Sequence, residues 1–303
     1  MAAEKPVTTP QAFPGASPGA RLRALLESGE LLVTPSCGDA LTARLIGQAG
    51  FRAAFMSGFC VSAQRIGAPD AGLISYAEMA GAVRDVCAAT ALPVLCDGDT
   101  GYGNALNVKR TVKGYAQAGA AAVMIEDQLA PKRCGHTKGK LVVDRTEAVE
   151  RISAAVDARA EIGSDILIIA RTDARHGHGL DEALWRAEAF HKAGAEILFV
   201  EAPKSEAEMR RLCAELPGWK MANLVEGGET PIPSQATLSE MGYGVAAWPL
   251  TLMATAMRAM TDALAAMRAD RAPEGLMGFA ELRERVGFEA YYLDEARYAG
   301  ARD

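Results

Sequence analysis

The stretch Ala122 to Lys140, AVMIEDQLAPKRCGHTKGK, gathers the side chains best suited to chemistry. Glu126 and Asp127 stand together at the end of a short apolar run of strand type, Ala122–Ile125, and paired carboxylates at a strand end suit a cation. Beyond them a Pro-punctuated loop carries Cys134, Gly135 and His136 in a basic frame of Lys132, Arg133, Lys138 and Lys140. Neighbouring cations lower a thiol's pKa and hold a carboxylate substrate close. A Cys-Gly-His triplet by itself reads as structural. Joined to an apolar strand, paired acids and a basic glycine-containing loop, it reads as part of a site.

A second acidic cluster extends the chemistry. Asp97, Asp99 and Glu126 offer hard oxygen ligands without a His cluster or thiolate pair, which selects Mg²⁺ or Mn²⁺ over zinc. Without a strand ahead of it, Asp97-Gly98-Asp99-Thr100-Gly101 would be an ordinary acidic turn. Arg171, emerging from an apolar strand, is suited to hold a carboxylate through two parallel hydrogen bonds. Cys134 would act on carbon as general acid or base, its ordinary pKa of about 8.5 being lowered by the cations around it. The implied reaction is reversible carbon–carbon cleavage next to a carboxylate, in a small di- or tricarboxylate whose oxygen the metal polarises.

The elements that must position these residues repeat along the chain. Residues 1–20 are rich in Pro, Ala and Gly and read as a loosely held arm. A helix is expected from about Arg21 to Gly29. Short apolar strands are then predicted at Leu31–Pro35, Ala53–Ser57, Pro93–Cys96, Ala122–Ile125, Ile166–Ala170, Ile197–Val200, Lys220–Asn223 and Val245–Trp248. Segments of helical pattern lie between them, among them Tyr76–Thr90, Asn107–Ala118, Arg145–Glu161 and Leu180–Ala193. Apolar strands alternating with amphipathic helices indicate a parallel sheet covered by helices, and eight such units indicate a closed (β/α)8 TIM barrel over residues 21–270. Ser57-Gly58, Asp97–Asp99, Glu126-Asp127, Arg171–Asp173, Glu201 and Asn223 all fall at C-terminal strand ends, which converge on one face of such a barrel. An open doubly wound sheet would also collect residues at strand ends, but no strand here precedes GxGxxG. Leu250–Met267 reads as a long helix, and Phe279–Tyr298 as a further helical pattern, within a C-terminal extension over 271–303. Its aromatic residues suit either contact with another subunit or docking on its own chain.

Composition narrows the alternatives. A chain of 303 residues, half of them hydrophobic, can bury a large core. The net charge of −6 argues against a nucleic-acid partner. No apolar run approaches the roughly 20 residues that cross a membrane, and the N-terminus lacks a signal-peptide core. The six cysteines show no CxxC pair, so free thiols and the reducing cytoplasm are expected.

The segments FMSGFCVSAQRIGAPDAG, DGDTGYGNALNV, IEDQLAPKRCGHTKGK, ARTDA, FVEAP and NLVEGG resemble the isocitrate lyase/phosphoenolpyruvate mutase superfamily, from about Leu31 to the C-terminal tail. KRCGH resembles its lyase branch, which includes isocitrate, 2-methylisocitrate and 2,3-dimethylmalate lyases. The resemblance implies a Mg²⁺-dependent barrel whose C-terminal helix is swapped between subunits, usually in a homotetramer. It carries the metal shell onto Asp97, Asp99 and Glu126 and the loop acid onto Cys134. Ser57, Gly58, Asp70, Gly135, His136, Arg171, Glu201 and Asn223 match positions that line the substrate or metal site. Cleavage would release pyruvate or glyoxylate and an enolised carboxylate, which Cys134 protonates. Phe55 stands where several isocitrate and methylisocitrate lyases place a Tyr, which removes a phenolic base. A phosphonomutase, an oxaloacetate hydrolase or decarboxylase, and a barrel kept as a binding scaffold are the competing readings.

Overall fold

In the computed structural model, which describes residues 15–133 and 140–299, the chain winds eight strands into one sheet. They are β1 (Leu32–Cys37), β2 (Ala54–Met56), β3 (Val94–Asp97), β4 (Ala122–Glu126), β5 (Leu167–Thr172), β6 (Ile197–Val200), β7 (Trp219–Asn223) and β8 (Val245–Trp248). Neighbours in sequence pair in parallel, and β8 returns to β1, so the sheet closes as the strand pattern implies. β1 runs beyond the expected Pro35. Up to Pro35 it pairs with β8, and from Ser36 with β2. The missing proline donor therefore falls where pairing changes sides.

Helices cover the barrel, with ends set by local side chains. Tyr76–Ala89 opens on a capping box between Ser75 and Glu78, and Ala105–Gln117 on one between Asn104 and Asn107. Asp144 caps Arg145–Glu161 by accepting from the Thr146 and Glu147 amides. The first helix begins at Pro18, ahead of the expected Arg21, because Ser17 supplies a cap and Pro18 fits the first turn. Its Leu22 and Leu26 enter the cluster that fills the barrel.

That cluster sets the direction of every site residue. Phe55, Leu95, Met124, Ile169, Phe199 and Met221 all lie in it, each adding roughly 1.5–3 kcal/mol of burial. Residues two places on point to the same face. Those residues are Ser57, Asp97, Glu126, Arg171, Glu201 and Asn223. The alternate set, including Val123, Ile125, Ile168 and Ala170, packs outward against Tyr115, Ile152 and Phe190 of the covering helices.

The chain divides into two units, Met1–Leu252 and Met253–Asp303. Thr251–Arg268 is helical as expected. The Phe279–Tyr298 pattern is two helices, Phe279–Val286 and Phe288–Tyr298, rather than one, because Gly287 adopts φ +95° and ends the first. Arg283 lies over the rings of Phe288 and Tyr292 in this unit. Among the described residues, no helix is long and apolar enough to cross a membrane.

Candidate active site

The C-terminal strand ends bring Asp97, Asp99, Glu126, Arg171, Glu201 and Asn223 to one face of the barrel. A narrow cleft opens there, lined by Ser57, Asp70, Asp97, Arg171, Glu201 and Asn223 and by the apolar Phe55, Phe59, Met124, Phe199, Val225, Pro249 and Leu250. A larger groove on the outer wall, between the helices Tyr76–Ala89 and Ala105–Gln117, is lined by none of the six convergent residues. Chemistry belongs to the smaller cleft.

Asp97 is held from both sides. Gly58 N–H donates to its Oδ2 at 3.1 Å, and Asp99 N–H to its Oδ1 at 3.0 Å. A Cβ at Gly58 would stand 2.7 Å from Asp97 Oδ2, so only glycine permits this approach. Asp99 sits at φ +49°, a conformation that costs energy outside glycine and concentrates at functional sites. Burial pushes its carboxyl up to about 6; Lys132 opposes that shift, while Asp97 and Asp70 reinforce it.

Glu126 is almost fully buried, and its Oε2 lies 3.2 Å from Arg171 Nη1. Among the described residues its Oε1 has no hydrogen-bond partner. Burial raises its pKa well above the carboxylate range against the pull of Arg171. Arg171 directs its fork inward within the protein: Nε and Nη2 bond Asp173 at 2.8 and 3.0 Å, and Nη2 also lies 3.2 Å from Glu201 Oε2. The bidentate geometry expected for a substrate carboxylate is thus already made with Asp173. Glu201 in turn accepts from Asn223 Nδ2 at 3.2 Å, and Lys140 Nζ reaches Asp173 at 3.3 Å.

Asp127 does not share the cation-seeking role suggested by the Glu126-Asp127 pair. One place along the pleat, it faces away from Glu126 and is satisfied by protein: Thr172 Oγ1 and Arg186 Nη1 donate to Oδ2, and Asp173 N–H to Oδ1. Lys132 likewise exceeds its sequence-level role in a basic frame, because its ammonium is buried against Asp70 and Asp99. Asp173, two places after Arg171 and hence on its face, was legible as a partner from that spacing. Cys134, Gly135 and His136 lie outside the described residues. The other cysteines are free thiols; burial pushes Cys60 up to about 12 and Cys213 to about 11.

Among the described residues, Asp70, Asp97, Asp99, Glu126, Asp127, Asp173 and Glu201 outnumber the buried cations Lys132, Lys140, Arg151, Arg171 and Arg186. A buried excess of carboxylate, one oxygen without a partner and raised pKa values all fit a further cation. No three described His, Cys, Asp or Glu side chains form a ready metal cage. Magnesium retains several waters and needs only one or two protein carboxylates, so the two observations agree.

Barrel and site together define an enzyme with an acidic centre at the C-terminal face of its strands. The chain belongs to the phosphoenolpyruvate phosphomutase family, whose model matches residues 22–268, within the PEP mutase/isocitrate lyase superfamily. It is 42% identical to the 2,3-dimethylmalate lyase of Eubacterium barkeri over 93% of this chain and 99% of that protein. The structure of oxaloacetate acetylhydrolase with 3,3-difluorooxalacetate superposes with a TM-score of 0.91 at 31% identity, covering 95% of this chain and 99% of that one. Phosphonopyruvate hydrolase with oxalate and Mg²⁺ superposes with a TM-score of 0.82 at 31% identity, covering 93% and 99%.

Proposed function

We propose that the protein is a Mg²⁺-dependent carbon–carbon lyase acting on a small 2-hydroxy (alkyl)malate or methylisocitrate-type di- or tricarboxylate. Its products are a 2-oxo acid, pyruvate or glyoxylate, and a carboxylate. The observation that carries this reading is the cleft itself, where the buried carboxylates Asp97 and Glu201 face an apolar wall. The likeness to a dimethylmalate lyase and to a hydrolase holding Mg²⁺ supports it.

Asp97, Asp99 and Glu126 would hold the ion, directly or through its waters. When bound, it supplies Lewis acidity that polarises a substrate oxygen. Arg171 contributes positive charge at the cleft wall, oriented by Asp173 and Glu201. Ser57 supplies a hydroxyl to the same wall. Phe55 cannot accept a proton, so the groups facing the cleft that can are carboxylates, Glu201 among them. Cys134 is assigned the proton donation to carbon, with Gly135 and His136 beside it in sequence and Asp70 and Asn223 at the substrate. Phe59, Val225 and Leu250 favour an alkyl substituent over a further charged group.

The enzyme is further proposed to work in the cytoplasm as a homotetramer, with its C-terminal helices against a partner subunit. An assay of alkylmalates, isocitrates, oxaloacetate and phosphonopyruvate, with and without Mg²⁺, tests the activity. Pyruvate or glyoxylate release from an alkylmalate or methylisocitrate is expected. Turnover confined to phosphonopyruvate or oxaloacetate would replace the lyase with a mutase or hydrolase, and turnover of none would leave a binding scaffold.

A further inference from the structure

Lys132 presents a contact that the reaction does not require. Its ammonium is buried, with the side chain 5% exposed, and it ion-pairs with both Asp70 and Asp99, the latter at 2.7 Å between Nζ and Oδ1. The backbone around it is anchored rather than loose. Gln128 accepts from Arg133 N–H and donates to Arg133 C=O, each at 2.9 Å. On the other side Gly72, at φ +70°, lies so close that a Cβ there would stand 3.3 Å from the Lys132 amide nitrogen. Gln128 in turn is tied to the helix Arg145–Glu161, since Arg151 Nη1 donates to the carbonyls of Glu126 and Gln128.

The ammonium therefore occupies a built position inside the same carboxylate cluster that a divalent ion would enter. An ammonium at Asp99 Oδ1 and a divalent ion bound by Asp99 make opposing demands. Each needs lone pairs of the same carboxylate, and the two cations repel at that separation in surroundings that screen poorly. Asp70, which Lys132 already pairs with, can retain the ammonium when Asp99 turns to the ion.

We propose that Lys132 is an internal counter-ion of the carboxylate cluster, and that divalent metal binding and the Lys132–Asp99 contact oppose each other. This rests on the Mg²⁺ reading above. Metal entry breaks the Lys132–Asp99 contact and leaves the ammonium on Asp70 alone, and Lys132 in turn sets how tightly the ion is held. Lys132 is thus a positioning residue, acting on the cluster through Asp99.

The test measures metal affinity directly. Calorimetry with Mg²⁺ alone on the wild type and on Lys132→Met, which keeps an unbranched stem without charge, should show at least about tenfold tighter binding in the variant, a modest expectation for removing a unit charge beside a divalent ion. Equal or weaker binding in a folded variant overturns the inference while leaving the Mg²⁺ reading standing. Absence of Mg²⁺ binding in both proteins overturns both. A second neutral variant keeps the inference testable if Lys132→Met fails to fold. Lys132→Gln, which can still hydrogen-bond Asp70 but carries no charge, should show the same tightening of Mg²⁺ binding in calorimetry. Equal or weaker binding in a folded Lys132→Gln protein overturns the proposal.

Discussion

A carboxyl group buried among others of its kind resists losing its proton until a cation is brought to it, and Asp99 is in that position. Its pKa is pushed up to about 6 by burial first, with Lys132 opposing and Asp97 and Asp70 adding to the shift. The folded state therefore binds the proton more tightly than the unfolded chain, whose value is about 3.9. The stability contributed is complete below about pH 4 and is lost as pH rises through about 6. Without divalent metal, urea unfolding should show the wild type losing up to about 3 kcal/mol relative to Asp99→Asn across that window. Parallel profiles would refute the assignment. Asp97→Ala should lose metal-dependent activity and Mg²⁺ affinity together, and calorimetry that finds unchanged affinity would remove Asp97 from the ligand set. Cys134→Ser should lower kcat at least about a hundredfold with little change in KM, because serine is a far weaker acid toward carbon. Steady-state kinetics on the best substrate decides this, and a near-normal kcat would favour phosphorus–carbon chemistry.

Strands aim side chains, and their pleat explains why adjacent acids differ in role. On β4, Glu126 follows Met124 into the barrel, whereas Asp127 turns toward Thr172 and Arg186. Asp127 joins β4 to the end of β5 and to the helix Leu180–Lys192, and through Asp173 it supports the orientation of Arg171. Asp127→Ala would leave Arg186, 4% exposed, without its buried partner. The expected cost is about 3–5 kcal/mol, read as a shift in the urea midpoint at constant slope. A loss below about 1 kcal/mol would show that Glu182, the other partner of Arg186, suffices.

Apolar surface on the second unit bears on how the whole protein assembles. Phe279, Leu293 and Tyr298 are 76%, 72% and 80% exposed in the single chain. Side chains of this kind in one segment mark a surface for another molecule. In the proposed tetramer they are covered by a partner subunit. Light scattering at micromolar concentration should find a tetramer, and Leu293→Asp should shift it toward smaller species. A wild-type monomer, or a variant that assembles normally, would place the subunit contact elsewhere.

Pattern alone was enough to read the barrel, because short runs apolar throughout alternate with amphipathic helices over eight units, and such units bury both strand faces by closing. It was enough, too, to put Asp97, Glu126, Arg171, Glu201 and Asn223 at one end, since each follows a core strand. The metal reading followed from hard oxygen ligands gathered at strand ends, whereas Asp70 came only with the resemblance carried by FMSGFCVSAQRIGAPDAG, which spacing could not supply. Tertiary structure decided who pairs with whom. That Arg171 also meets Glu126 and Glu201, that Asp127 turns from Glu126 to Arg186, and that Lys132 reaches Asp70 across 62 positions are matters of side-chain direction and of distance between remote segments. Those depend on strand register and on the approach of loops, as at Gly72 and Gly58. One chain's local pattern specifies elements, but electrostatic partners are chosen where the folded elements meet.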